Sequence, residues 1–335
     1  NYYLIMKICI IGNSLTSIIL AKNLAKKKIS IDLIYKKKRD YDKSDRTIGI
    51  TDNNLNLIRK YISEFNYGFP ISEIKILDNS NFPNELISFK NDLKNQMHMF
   101  KYKEIYNQVQ KKLFNLKNVK IKKKSFKNLS GFKEEANKYD LLIDTELDSI
   151  YSKKYFSKKI VKDYDSEAII NIIKHKKIKN NIAYQIFTEC GPLAFLPLSL
   201  EKTSIVFSLN NNKKISNDLI KIKKLINKFN PKYKILEFGK FEKFKLKMSL
   251  LKKYYKDNIL AFGDRLHTIH PLAGQGFNMS IRDIEILTNL ISDKIKLGLP
   301  IDNSIAKEFE KKSKFKNIIF GTSIDVLNDI FKIEK

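Results

Sequence analysis

The densest set of chemistry-capable residues in this chain is Gly263-Asp-Arg-Leu-His-Thr-Ile-His-Pro-Leu-Ala-Gly-Gln-Gly-Phe-Asn-Met-Ser-Ile-Arg-Asp283. The apolar run Ile259–Phe262 predicts a short strand that delivers Gly263 and Asp264 to its carboxyl end. A carboxylate there can accept hydrogen bonds from sugar or ribityl hydroxyls. Pro271 stiffens the loop, and Gly274 and Gly276, flanking Gln275, let the backbone approach a ligand closely. A helix is predicted to start near Phe277–Asn278, so its first amides can face a phosphate or another anion. His267 and His270 are three apart, but two imidazoles without a carboxylate partner do not make a metal site.

A second candidate lies at the N-terminus. Lys7–Ile11 is a continuous apolar run expected of a strand buried on both faces, and Gly12 breaks it. Ile18, Leu20, Ala21, Leu24 and Ala25 recur at helical spacing, and a second strand follows at Ile29–Ile34. This βαβ opening is where a pyrophosphate loop of pattern G-x-G-x-x-G belongs. Here the loop reads Gly12-Asn-Ser-Leu-Thr-Ser17, with only the first glycine present. Ser14 hinders backbone approach, although its hydroxyl could donate to a phosphate, and Ser17 is expected to loosen the helix–strand packing. Tyr35-Lys36 stands where an acid would hold a ribose. Taken alone, the motif leaves two readings open, a dinucleotide site and plain βαβ packing.

The elements that must position these residues follow from periodicity. Helices are predicted over 52–66, 102–116, 215–229 and 277–297, with two more within 302–333. Strands are predicted at Ile74–Leu77 and Leu86–Phe89 around a turn at 79–83, at 118–122, and at Asp140–Ile143. The segment 156–210 reads as β, with strands at Ile160–Asp163, Ala168–Ile173, Tyr184–Phe187, Phe195–Leu198 and Ser204–Ser208, then a hairpin turn at Asn210–Asn212. Residues 232–250 are β-rich. The order predicts an α/β chain: a nucleotide-binding domain interrupted by a β-rich insertion and completed by a helical C-terminus.

Composition narrows the classes. The 335 residues allow about two domains of roughly 150 residues. Two cysteines, Cys9 and Cys190, exclude a disulfide scaffold and a structural zinc site, and fit a reducing compartment. The net charge is +28, yet only five of the 64 basic residues are arginine, the residue that reads phosphates and bases in bidentate fashion. That pattern argues against nucleic acid and for a solvated lysine surface. Such a surface also gives a weak pull toward anionic membrane, about 1 kcal/mol per lysine. No apolar run is long enough to span a bilayer. Leu4–Ala21 mimics a signal peptide, but Lys7 and the Gly12–Ser14 turn make it read as strand, turn and helix, with residues 1–5 ahead of a start at Met6.

The 263–283 segment closely resembles the second flavin-binding motif of the flavoprotein aromatic-ring hydroxylases, and within them the ubiquinone-biosynthesis pattern G-D-A-A-H-x-I-H-P-L-A-G-Q-G-L-N-L-G-L-R-D. Ala183-Tyr-Gln-Ile-Phe-Thr-Glu-Cys-Gly-Pro-Leu-Ala-Phe-Leu-Pro-Leu198 resembles A-x-E-x-F-T-x-x-G-P-L-A-L-L-P-L, and His175 stands where that family often has a histidine. Asp45-Arg-Thr-Ile-Gly-Ile-Thr51 resembles G-R-A-I-A-L-S, and Phe309–Phe331 resembles the family's C-terminal stretch. The likeness runs nearly end to end. It departs at the middle motif, where a strand is followed by G-A-D-G: here Ile143 is followed by Asp144-Thr-Glu-Leu-Asp148, without either glycine. Arg265-Leu266 likewise replaces two alanines.

The resemblance implies the para-hydroxybenzoate hydroxylase fold. A Rossmann-like FAD-binding domain (1–68, 100–158 and 252–335) would be interrupted by a β-rich substrate domain (69–99 and 159–251). It implies an enzyme in which NAD(P)H reduces bound FAD and O2 adds to flavin C4a. The hydroperoxide then hydroxylates an electron-rich ring, here a polyprenylated phenol of ubiquinone biosynthesis; the protein positions and desolvates. Gly12, Ser14, Ser17 and Arg46 would hold the nucleotide, with Gly263 and Asp264 on the ribityl chain. Pro271, Gly274, Gln275 and Gly276 would lie at the reacting flavin, with Phe277 and Asn278 beside them. Gly191, Pro192, Leu193, Phe195 and His270 would wall an apolar substrate pocket, with Cys190 as a small wall residue. His267 and His270 would be loop residues near the flavin. His98 carries no signal and is expected to be exposed. A cytoplasmic location, peripheral at the inner face of a bacterial membrane beside ubiquinone-synthesis partners, suits a large apolar substrate. Other readings stay open: a non-catalytic partner- or lipid-binding member of such an assembly, or a monooxygenase of another small aromatic. A nucleic-acid module, the most distant of them, predicts steep salt dependence.

Overall fold

Continuous apolar runs set the first sheet deep in the molecule. The computed structural model describes residues 6–27, 29–36, 46–62, 65, 68–78, 84–210, 215–269 and 275–333. β1 (Lys7–Ile11) is buried from Ile8 to Ile11, as expected of a parallel strand covered on both faces. It pairs in parallel with β2 (Ser30–Tyr35) on one side and β9 (Leu141–Asp144) on the other. β8 (Val119–Lys123) extends the sheet beyond β2, and β17 (Ile259–Ala261) extends it beyond β9, both parallel. β16 (Tyr255–Lys256) closes the far edge in antiparallel sense. α1 (Leu15–Ala25) joins β1 to β2 and is buried almost all round, because α3 (Tyr102–Phe114) and α7 (Gln275–Lys296) flank it against the sheet.

A larger, mostly antiparallel sheet carries the β-rich half. In order it runs β18 (His267–Thr268), β15 (Glu242–Leu251), β10 (Lys159–His175), β13 (Lys202–Asn210), β12 (Gly191–Pro197), β11 (Ile182–Thr188), β5 (Glu73–Leu77) and β6 (Glu85–Lys90). β14 (Ile235–Phe238) also pairs with β10. The amphipathic α6 (Leu219–Lys228) seats Ile222 and Ile226 in a core with Ile169, Ile173, Phe195 and Phe207. β3 (Thr47–Thr51), β7 (Met97–Lys101) and β4 (Phe69–Ile71) form a small third sheet, and α2 (Asp52–Tyr61) follows β3 directly. α4 (Leu129–Ala136) and α5 (Ile150–Tyr155) sit either side of β9 in the chain, and α8 (Asn303–Ile333) ends it. The α/β class with a Rossmann-like sheet, a β-rich part and C-terminal helices holds.

Several expectations change in detail. The two strands predicted within 160–173 are one, β10, bent where its register with β15 shifts between Asp163 and Ser166 and Asp165 adopts φ 45°. The two C-terminal helices are a single helix, α8. Gly321 does not break it; the position lets the helix lie close on the β15 side, where an added Cβ would meet Leu250 at 3.0 Å. The helix predicted over 52–66 ends at Tyr61. The turns at 79–83 and 211–212 lie outside the described residues. His98 is buried, not exposed: it stands on β7, the middle strand of its sheet, and its Nε2 lies 3.1 Å from Asp52 at the start of α2.

Candidate functional site

Strand order brings the two sequence motifs to one edge. β2, β1, β9 and β17 are neighbours and parallel, so the residues after Tyr35, Ile11, Asp144 and Ala261 share the carboxyl edge, where α/β sheets bind ligands. Gly12 leaves β1 at φ 124°, its N–H donating to Ile34 O at 2.8 Å. A Cβ at Gly12 would come within 2.0 Å of Thr145 Oγ1, so only glycine fits. Gly263, at φ 65°, faces the first turn of α1, where an added Cβ would lie 3.1 Å from Thr16.

The serines do specific work in the glycine-poor loop. Ser14 is the N-cap of α1, its Oγ accepting the Ser17 N–H at 3.3 Å. Ser17 is fully buried rather than a loosened contact. Its Oγ lies 2.8 Å from both Ser14 Oγ and Thr145 Oγ1, and Thr145 Oγ1 donates to Ile11 O at 2.8 Å. A chain of hydroxyls thus ties helix, loop and β9 together where glycines would let backbones touch. The Leu15 N–H donates to Tyr102 Oη at 2.9 Å, and the Arg46 guanidinium lies 5.0 Å over the Tyr102 ring. Arg46 is therefore held beside the N-terminus of α1.

The end of β9 is rebuilt with side chains. Asp144 is fully buried, and its carboxylate accepts from the Ser149 and Ser152 hydroxyls and the Glu146 N–H. Burial pushes this carboxyl above the usual aspartate range; Arg265 and the hydroxyl groups oppose the shift. Arg265 is buried too, and its Nη1 donates to Glu146 O. Asp264, one residue earlier, is exposed at the edge.

A cavity of about 170 Å³ opens beside these groups, lined by Ile11, Lys36, Lys124, Phe126, Phe132, Glu146 and Asp148 among others. It lies beyond the ends of β1, β2, β8 and β9, on the carboxyl side where open α/β sheets bind ligands. The N-terminus of α1 with Arg46 beside it, and the cavity, fit parts of the ADP half of FAD, whereas Thr145 and Thr16 occupy the space over Gly12 and Gly263 and Tyr102 Oη takes the Leu15 amide. The sequence reading missed Lys124, Phe126, Asp148 and Tyr102. Their only signal was position just past the carboxyl end of a predicted strand, or at the start of a predicted helix.

On the flavin-ring side, Gln275, Gly276 and Phe277 open α7 and are half-buried, whereas His270, Pro271 and Gly274 lie outside the described residues. Gly276 is not required by packing among the described residues, since an added Cβ would touch only Ile269 at 3.9 Å. Asn278 is buried and engaged with the protein. Its Nδ2 donates to Gly49 O at 2.9 Å, and its Oδ1 accepts from Thr51 N at 3.0 Å and Asn54 Nδ2 at 2.8 Å. It locks the start of α7 to β3 and α2.

The other expected residues scatter. His267 is buried with Nε2 2.7 Å from Asp283 Oδ2, and Asn317 donates to the same carboxylate at 3.1 Å. No group of three or more metal-binding side chains occurs among the described residues. Strand alternation splits the expected pocket wall. Leu193 and Phe195 turn into the α6 core, while Leu196 and Leu198 pack toward Met97 and Met99. Gly191, at φ 126°, and Pro192 are buried, and Cys190 joins the α6 core. His175 is buried, with Nε2 3.0 Å from Thr203 Oγ1.

Comparison with known proteins agrees with the fold. Residues 201–296 match the FAD binding domain family. The chain is 26% identical over 212 residues to the mitochondrial ubiquinone biosynthesis monooxygenase COQ6 of Caenorhabditis elegans, covering 50% of this chain and 46% of that protein. It is 24% identical over 176 residues to the ubiquinone hydroxylase UbiL of Rhodospirillum rubrum, covering 50% and 41%. The match thus spans about half the length of these relatives. Among solved structures, Pseudomonas aeruginosa PqsL, described as a probable FAD-dependent monooxygenase, superposes with TM-score 0.77 at 12% identity, covering 98% of this chain and 96% of that one. A Klebsiella pneumoniae HpxO variant complexed with FAD gives TM-score 0.76 at 11% identity over 98% and 90%. The fold is that of the FAD-binding monooxygenase family, the para-hydroxybenzoate hydroxylase fold, and ubiquinone hydroxylases are distant homologues over half of the chain.

Proposed function

We propose that this chain binds FAD along the carboxyl edge of its parallel sheet and hydroxylates a polyprenylated phenol in ubiquinone biosynthesis, with NAD(P)H as reductant. The observation that carries the reading is the meeting of Gly12, Gly263 and the exposed Asp264 at one strand edge, with a cavity of about 170 Å³ further along the same edge. When bound, FAD supplies the redox and oxygen-activating chemistry that no side chain can perform. The chain's part is to hold it. α1 and Arg46 would face the diphosphate, Asp264 the ribityl hydroxyls, and Gln275 to Phe277 with the 270–274 segment the ring. The division into an FAD-binding part and a β-rich substrate part belongs to this proposal, as does a pocket walled in part by Gly191 and Pro192. Among the described residues no helix is long and apolar enough to cross a membrane. Contact with an anionic membrane through surface lysines, at the inner face in the cytoplasm, is the location we propose.

The direct test supplies the purified chain with FAD, NAD(P)H, O2 and a polyprenylated phenol. Formation of the hydroxylated ring, and restored growth of a ubiquinone-deficient strain, are the expected results. NAD(P)H oxidation with only small aromatics hydroxylated would move the substrate to another ring. The engagement of the Leu15 amide by Tyr102 Oη favours a second reading, a non-catalytic partner- or lipid-binding member. Failure to bind FAD would support it.

A further inference from the structure

Arg265 stands where the resembled flavin motif has alanine, and it is 3% exposed. Its Nη1 donates to Glu146 O, its Nε has no partner, and the carboxylates of Asp144, Asp148 and Glu146 all act on it. A buried guanidinium is costly unless such groups surround it, and an alanine would carry no such cost. The loop it reaches is the one that lacks both glycines of the middle motif, yet Glu146, Asp148 and Ser149 of that loop line the cavity. Thr145 holds the loop to β1 from one side through Ile11 O. Asp144 holds it from beneath through Ser149, Ser152 and the Glu146 N–H. Arg265 holds it from the β17 side, the third direction.

We propose that Arg265 is the positioning residue of the nucleotide cavity, fixing the Glu146–Ser149 backbone so that side-chain ties shape the adenosine site in place of glycine turns. The inference rests on the FAD reading above. It makes Arg265 a determinant of FAD over FMN, because FMN lacks the adenosine half that this loop borders.

The experiment titrates the purified full chain with FAD and with FMN. Arg265→Ala is expected to raise the FAD Kd about tenfold or more and to leave the FMN Kd within about twofold, a split that a purely structural role would not give. Arg265→Lys, which keeps a charged donor, recovers part of the loss. Because Arg265→Ala strands a buried carboxylate, Arg265→Ala with Asp144→Asn serves as the folded control, checked by a cooperative melt. Wild-type FAD affinity in that folded double variant would overturn the proposal, as would equal weakening of FAD and FMN. A wild-type chain that binds FMN but discriminates nothing in favour of FAD overturns it as well. A wild-type chain that binds neither overturns the FAD reading on which it rests.

Discussion

The ends of β9 and β17 lie side by side on one sheet edge and solve the same problem differently. At β17 the strand runs into Gly263, whose left-handed backbone faces Thr16 and leaves Asp264 exposed. At β9 no glycine remains, and the backbone is held by Thr145, Asp144 and Arg265 through hydroxyl, carboxylate and guanidinium contacts. The location of a ligand edge is set by strand order, which survives the loss of a motif. Its local shape is set by side chains, which a glycine pattern does not report.

Substitutions can break this contrast. The largest effect is expected at Asp144→Ala, which removes one of the three carboxylates acting on buried Arg265 and strands the Ser149 and Ser152 hydroxyls and the Glu146 N–H. It should cost about 3–5 kcal/mol in urea denaturation. The same residue gives a pH signature. Burial raises the Asp144 carboxyl, so the folded chain holds that proton more tightly than the unfolded one. The Asp144 contribution is then present at low pH and falls as pH rises past the ordinary value near 4, and Asp144→Asn should remove that slope. Gly12→Ala combines left-handed strain with the Thr145 clash and should cost about 2–4 kcal/mol by the same measurement.

Smaller effects sharpen the contrast. Asn278→Ala empties the link among Gly49, Thr51 and Asn54 and should cost about 1–3 kcal/mol. Asp264→Ala should leave stability within about 0.5 kcal/mol, because the side chain is exposed, while calorimetry shows FAD affinity falling about tenfold. A stability loss at Asp264 equal to that at Asp144 would erase the distinction between the two strand ends.

The sheet core and the β17 motif were legible because periodicity and glycine spacing encode them locally. Ile8 to Ile11 announces a buried strand, and Gly263-Asp264 follows an apolar run. The hydroxyl chain Ser14–Ser17–Thr145 was not legible. It joins residues 128 positions apart, and the serines read as defects until Thr145 is seen filling the space over Gly12. Arg265 read only as a departure, since its partner Glu146 O is a backbone atom 119 positions away. His98 was missed for a similar reason. Nothing around it in sequence reports that β7 lies between two strands and meets Asp52.

The central claim is that the rebuilt strand edge still holds FAD. Titrating the purified chain with FAD, while following the flavin absorption bands and the heat of binding, tests it most directly. Saturation at one FAD per chain, with perturbed flavin bands and a raised melting temperature, is the expected result. A chain that melts cooperatively yet leaves the spectrum and the melting temperature unchanged in excess FAD would contradict the account.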